Sequence, residues 1–454
     1  MTASPEVQHD TALAGWRVVP DASLRRYAEG RVVLGGSPTR LIRLSASGAA
    51  LLARWCAGEP IGAAPHDTAL ARRLLHIGLV HPLPGVGRLT AADVTVVIPV
   101  KDNPVGLARL RAATGDLTTV VVDDGSAAPL LGAAHRHRAP AGPAAARNTG
   151  WRHAHTALVA FLDSDTTPES GWLDPILGLF DDPDVAAVAP RVRALPGDGA
   201  IADYETDRSA LDMGPDPAAV RPMTRVGYVP TAALVVRRDA LIALGGFDET
   251  LRFGEDVDLV WRLIAAGHTV RYQPEATVWH QPRPTLRGWL RQRHDYGTSA
   301  APLSTRHPRL LPCARANRWT LAAAALAATG RPGLGLAVAA ASTAPLLRTL
   351  RRKGLPARAA LTLTGQGQLS AARMLAAAVR RGWWPLLLPS KRGRRLLAAS
   401  LLPCLIEAAT GHKGLRWLAL RLADDLAYST GVITGCVRHR TAAPLLPQAT
   451  DRQS

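Results

Sequence analysis

Residues 161–172 read Phe-Leu-Asp-Ser-Asp-Thr-Thr-Pro-Glu-Ser-Gly-Trp and close an apolar run that begins at Ala157. A run of that length and composition reads as a strand buried on both faces. Its tip carries two carboxylates, Asp163 and Asp165, which repel one another unless a cation or a hydrogen-bonded ligand sits against them. Burial supplies no reason for such a pair. Pro168 and Glu169 read as the first turn of a helix. The pair is therefore expected on a strand-to-helix turn, where α/β proteins place their ligands.

Outward from this stretch, apolar runs at 94–99, 119–122, 157–162, 185–189 and 232–236 alternate with helical patterns. That rhythm predicts an α/β domain, Rossmann-like, with a mostly parallel sheet covered on both faces. Three further segments carry candidate chemistry. The first strand ends at Pro99, and the second runs into Asp123-Asp124-Gly125-Ser126, although a lone Asp-Gly is an ordinary turn. Gly142-Pro-Ala-Ala-Ala-Arg147-Asn-Thr-Gly150 offers a guanidinium for a carboxylate or phosphate, with small residues that let the helix approach a ligand. Gly254-Glu255-Asp256-Val-Asp-Leu-Val-Trp-Arg262 opens a helix. Asp256 there either complements the helix dipole or serves as a general base for a hydroxyl. The carboxylates at 163 and 165 suit a hard divalent ion, Mg²⁺ or Mn²⁺.

The 454 residues allow two or three domains, and the 47% hydrophobic and 20% charged content is that of a folding chain. The net charge of +18 is unevenly placed: from residue 301 onward there are 23 Lys or Arg against 4 acids, so the first 300 residues are close to neutral. A basic tail implies an anionic partner, lipid or nucleic acid. Its arginines are interspersed with Leu and Ala rather than stacking aromatics, which favours an anionic membrane surface over nucleic acid. The tail, 306–454, contains an apolar run at 319–347 broken by Arg331-Pro332-Gly333, a shorter one at 396–410, and Trp383-Trp384-Pro385. Spans, helices lying on a leaflet and a soluble helical bundle all fit it. Cys56, Cys313, Cys404 and Cys436 show no metal-ligand spacing, which fits a reducing cytoplasm. The N-terminus, Met-Thr-Ala-Ser-Pro-Glu-Val-Gln-His-Asp, lacks a signal-peptide pattern, so the catalytic part is expected on the cytoplasmic side of the cell membrane.

Taken in order and spacing, the segments around Pro99, Asp123-Asp124, Arg147, Asp163-Ser-Asp165 and Gly246-Phe-Asp-Glu through Glu255-Asp256 resemble the family-2 inverting glycosyltransferases of GT-A fold, over roughly 93–300. The resemblance implies a UDP-sugar donor, with Asp123 near the uracil and Arg147 beside it. It places Asp163 near the ribose or metal, Asp165 on the metal under the diphosphate, and Asp256 as the base. Glu255 is implied to orient the acceptor. His280, in Val-Trp-His, matches a metal-completing histidine of some members, or simply packs beside Trp279. Many processive relatives carry Gln-x-x-Arg-Trp; here the place reads Gln292-Arg293-His294-Asp295-Tyr296, leaving Arg293 and His294 as candidates to face the diphosphate. In residues 1–90, Gly35-Gly36-Ser-Pro38-Thr-Arg40-Leu-Ile-Arg-Leu-Ser45 followed by Ala69-Leu-Ala-Arg-Arg-Leu-Leu-His-Ile-Gly-Leu-Val-His-Pro82 is similar to the PqqD-like, winged-helix modules that grip precursor peptides; a small structural or dimerising domain is the alternative. The three regions together, 1–90, 91–305 and 306–454, resemble the glycosyltransferases of the mycofactocin system, implying a peptide-derived acceptor, premycofactocin, and a glucosyl donor. A lipid acceptor in envelope-glycan assembly and a non-catalytic docking scaffold are the alternatives.

Overall fold

The computed structural model describes residues 12–450; the polar N-terminal stretch read above lies outside them. The chain forms two compact units, Met1–Pro282 and Arg283–Ser454.

The first unit is built on a nine-stranded sheet. Its path runs Thr166–Pro168, Thr269–His280, Val185–Ala194, Ala233–Arg237, Leu158–Leu162, Val94–Val100, Thr118–Asp123 and His135–Arg136, with Ala218–Ala219 pairing onto Thr269–His280. The expected mostly parallel sheet is corrected to a mixed one. Ala233–Arg237 runs antiparallel to both of its neighbours, and two short strands add antiparallel pairs at Thr269–His280. The parallel set, 94–100 with 118–123 and 158–162, keeps its carboxyl ends together, which brings Asp123 and Asp163 to one edge. Val96, Ile98, Leu158, Ala160, Val188 and Val235 are buried within this sheet's core.

Residues 12–90 belong to the same unit. Arg25–Tyr27, Val32–Gly35 and Arg40–Arg43 form an antiparallel sheet, Arg17–Pro20 pairs with Val80–Leu83, and helices Ala46–Cys56 and Pro65–His76 cover a core of Leu52, Trp55, Leu74 and Leu79. Ser45 caps the first helix, its Oγ accepting from Gly48 N–H at 3.0 Å, a cap worth about 1 kcal/mol. This segment is tied to the large sheet by Arg72 Nη1, 2.6 Å from Asp182 and 3.1 Å from Asp184, and by Arg225 N–H donating to Ser37 Oγ at 3.0 Å.

The second unit is helical, with two very short strands, 315–316 and 448–449, paired in parallel. Leu286–Thr298 and Leu415–Arg438 meet backbone to backbone, because Gly297 and Gly431 offer no Cβ to strike Tyr428 O and His294 O. Arg293 is buried there and paired with Asp424 at 3.4 Å, while His294 Nε2 lies 3.3 Å from Thr434 Oγ1. Both side chains thus serve helix packing. Pro332–Arg352 is long and apolar enough to cross a bilayer, and Leu334, Leu336 and Leu346 on it are exposed. The break expected near 331 falls between it and Arg318–Ala328.

Candidate active site

The quoted stretch folds differently from its reading at Pro168. No helix starts there: Thr166 N–H and Oγ1 both donate to Asp163 O, at 2.9 and 2.7 Å, closing a turn that leads into the short strand Thr166–Pro168. That strand pairs antiparallel with the end of Thr269–His280, setting Thr166 opposite His280. Gln281 N–H donates to Asp165 O at 2.9 Å, and Trp279 Nε1 to Glu169 at 2.8 Å. The turn therefore delivers Asp165 to His280, with Oδ2 and Nε2 3.4 Å apart.

Helix Pro143–Arg152 positions the guanidinium. Gly150 packs it directly on the Val94–Val100 strand, since a Cβ would strike Val97 Cγ1, and Ala144, Ala145 and Ala146 are buried with it. The small residues expected to admit a ligand admit the strand instead. Arg147 is only 3% exposed. Its Nη2 donates to Asp163 Oδ1 and its Nη1 to Glu255 Oε1, each at 2.7 Å, and Phe247 lies under its Cζ at 5.6 Å. Burial opposes its charge, but the two carboxylates more than compensate and raise its pKa. Hydrogen bonds between charged partners are the strong ones.

Asn148, which the sequence reading passed over, braces this arrangement. It donates to Phe247 O and Glu249 Oε1 and accepts from Phe247 N–H and Trp151 Nε1, all between 2.8 and 2.9 Å. Gly246, at φ +76°, stands where any side chain would collide with Asn148 and Trp151. Arg262 completes the brace, bonding Asp258 at 2.7 Å, Leu244 O at 3.0 Å and Gly246 O at 2.7 Å. The 246–254 loop is so fixed, and Gly254 at φ +82° opens helix Glu255–Ala265.

Asp256 sits in the first turn of that helix, partly exposed, its Oδ1 accepting from Val257 N–H at 2.8 Å. Burial raises its pKa, backbone N–H groups and Arg147 pull it down, and the Asp163 carboxylate pushes it up again. The net direction is upward. Glu255 beside it is buried and shifted the same way, by burial first, with Arg147 opposing. Glu255 holds Arg147 and so has less to offer an acceptor than Asp256.

Asp123 is fully buried, with Ser126 N–H on Oδ1 at 2.9 Å and Arg136 Nη1 on Oδ2 at 2.7 Å. Burial works against its charge, yet the hydrogen bonds of Ser126 and Leu130 and then Arg136 lower its pKa. Asp124 accepts from Ala141 and Gly142 N–H at 2.8 and 2.9 Å and from His137 Nδ1 at 2.8 Å. These acids shape the turn, and Arg136 is the exposed group beside them, unforeseen in the sequence. Pro99 is buried inside its strand, in register with Val122.

Among the described residues no three His, Cys, Asp or Glu side chains converge as a metal cage. Asp163 is held by Arg147 and does not join Asp165 and His280. A carboxylate and an imidazole at 3.4 Å nevertheless fit two neighbouring positions of an octahedral ion that takes its remaining ligands from phosphate and water.

The class follows from sequence comparison: the chain is a glycosyltransferase. Residues 158–402 match the Glycosyl transferase family group 2, and the chain belongs to that family. It is 41% identical to the pre-mycofactocin glycosyltransferase of Mycobacterium tuberculosis, over 96% of this chain and 98% of that one. Over 33% of this chain and 48% of the relative, it is 35% identical to the succinoglycan biosynthesis protein ExoM of Rhizobium meliloti. A mannosyltransferase structure from Pyrobaculum calidifontis, covering 79% of this chain and 89% of its own, aligns at 17% identity with a TM-score of 0.43, too distant to bear on substrate or metal.

Proposed function

We propose that the enzyme transfers a hexose, glucose first among the candidates, from a UDP-sugar to premycofactocin and to the saccharide growing on it, with inversion. The support for the acceptor is the name of a relative matched along nearly its whole length. For the chemistry, the carrying observation is a partly exposed carboxylate, Asp256, held at a helix start next to Glu255, which Arg147 ties to the Asp163 strand tip. The acceptor hydroxyl attacks the anomeric carbon as the bond to the β-phosphate oxygen breaks. Its proton goes to Asp256, and the bonding pair leaves with UDP. No covalent nucleophile is required.

Asp165 and His280 are the residues we assign to a divalent ion, Mg²⁺ or Mn²⁺, which when bound would neutralise the departing diphosphate. The imidazole favours Mn²⁺ of the two. Replacing His280 with Ala is expected to weaken Mn²⁺ binding about 10–100-fold or more, read by electron paramagnetic resonance of Mn²⁺ in the presence of UDP. Unchanged Mn²⁺ affinity would remove His280 from the site. In the same reading, Asp123 and Asp124 orient the turn, with Arg136, that meets the uracil, and Asp163 meets the ribose.

We also read 1–90 as the part that holds the peptide-derived acceptor, and the exposed apolar helix Pro332–Arg352 with its basic surroundings as a membrane attachment on the cytoplasmic side. That helix is the observation favouring a second reading, a lipid-linked acceptor in envelope-glycan synthesis. Incubating the full-length protein with premycofactocin, UDP-glucose and Mn²⁺, with an EDTA control, separates the two. Metal-dependent gain of hexose mass on premycofactocin is the expected result. UDP release only when lipid acceptors are supplied would replace the proposed acceptor with the second one.

A further inference from the structure

The strand Thr269–His280 has His280 at one end and Arg271 near the other, nine residues away and so up to about 30 Å from the catalytic edge. Arg271 lies opposite Ala219 on the short antiparallel strand; Val220 N–H still donates to Val270 O, and Arg221 follows in the turn closed by its own N–H on Val226 O. Against this end of the sheet sits the N-terminal segment. Helix Pro65–His76 anchors Arg72 on Asp182 and Asp184 and carries His76 one turn further along the same side. The strand Arg40–Arg43 begins three residues after Ser37, whose Oγ accepts from Arg225 N–H. The seam thus collects Arg40, His76, Arg221 and Arg271.

These groups are not compensated. Arg271 is 5% exposed and its Nε has no acceptor. Arg221 beside it is half-buried, and Arg40 and His76 lie exposed at the rim of the seam. The acids here are Asp182 and Asp184, both already engaged by Arg72. Arg40, Arg72, Arg221 and Arg271 against Asp182 and Asp184 leave two positive charges in excess, and the neighbouring Arg237 and Asp181 offset one another. The groups feel one another: burial first, then Arg221, Arg40 and Arg271, hold His76 below its usual range, and burial aided by Arg72 and Arg221, against Asp182, brings Arg271 down to about 10. The desolvated Arg271 Nε without an acceptor and the excess guanidinium charge around it both oppose folding. Their retention at an interface calls for an anion.

We propose that this seam is a binding site for a phosphate dianion, gripped by Arg271, Arg221 and Arg40 and distinct from the sugar-nucleotide site. A dianion matches the excess of two charges, which one carboxylate would only halve, and guanidinium forks match tetrahedral oxyanions. Its occupancy clamps the N-terminal segment onto the sheet at the end away from sugar transfer.

The test uses full-length protein in EDTA, with inorganic phosphate as probe, followed by calorimetric titration and thermal unfolding. Saturable binding with a raised Tm is expected. Arg40→Gln and Arg221→Gln should each weaken it about tenfold or more, whereas Asp165→Asn, at the catalytic edge, should leave it unchanged. Arg271→Met guards against a folding artefact: without phosphate its Tm should rise, and its response to phosphate should vanish. Co-sedimentation with phosphatidic acid vesicles distinguishes sources: weaker co-sedimentation of Arg40→Gln than of wild type assigns the phosphate to a lipid headgroup, whereas equal co-sedimentation of the two, through the apolar helix Pro332–Arg352, or none at all assigns it to a soluble ligand. No phosphate binding, equal binding in the arginine variants, or loss of binding in Asp165→Asn would overturn the proposal. So would a glutamate-rich peptide that binds without competition from phosphate.

Discussion

Replacing Asp256 with Asn is expected to lower sugar transfer about 10²–10⁴-fold, the range over which a positioned general base acts, while UDP-sugar affinity stays as it was. The amide keeps the acceptor that Asp256 Oδ1 offers to Val257 N–H, so the helix start survives. It cannot take a proton. The pH profile gives the sharper check. Because burial raises the Asp256 pKa, the base is ionised only above a pH higher than for an exposed aspartate. The wild-type rate should therefore fall on acidification through that raised pKa, and the limb should be missing from the residual activity of the variant. Stability moves the other way. A carboxyl with a higher pKa folded than unfolded binds more protons in the native state across the interval between the two values, so ionisation above that interval costs stability. At neutral pH the Asp256→Asn enzyme should unfold at a temperature equal to or above that of wild type. A variant that is inactive and clearly less stable would point to a structural role, and full activity would end the assignment of the base.

The strands around the site were legible because strands buried on both faces write themselves as unbroken apolar runs: 94–100, 118–123, 158–162, 185–194 and 233–237 all appear within a few residues of their reading. Direction was not legible. Nothing in Ala233–Arg237 distinguishes an antiparallel insertion from another parallel strand, since both faces are buried either way. Thr269–His280 escaped notice because polar and charged residues interrupt it, among them Arg271, Gln273 and Glu275. The turn after Asp165 was misread for a local reason. Pro168 and Glu169 do favour a helix start, but pairing with the end of Thr269–His280 satisfies the backbone first. Of the site, residue types could be read and partners could not. Asp123, Asp163 and Glu255 are all carboxylates with a ligand-like look. Only packing shows that Arg136 and Arg147 already occupy them, while Asp256 stays partly exposed beside them.

Arg147 is where that packing is most exposed to a single change. Its two forks bridge Asp163 and Glu255, and Asp256 lies next in sequence to the second of them. Removing the guanidinium in Arg147→Met leaves three carboxylates in a partly desolvated space without a cation. Breaking a buried pair from one side costs about 3–5 kcal/mol, a fall in Tm of roughly 5–15 °C for a unit of this size. The loss of activity should exceed what the loss of folded protein explains, because uncompensated neighbours push the base toward its protonated form. Arg147→Lys keeps the charge but cannot span both partners, so part of the stability should return without the rate. Adding Glu255→Gln to Arg147→Met should recover stability as well, since the orphaned carboxylate is itself a large part of the cost. Thermal unfolding of the two single variants and the double one measures that coupling. If their effects simply add, Arg147 and Glu255 do not act as a pair, and the electrostatic support of Asp256 must come from elsewhere in the first turn of its helix.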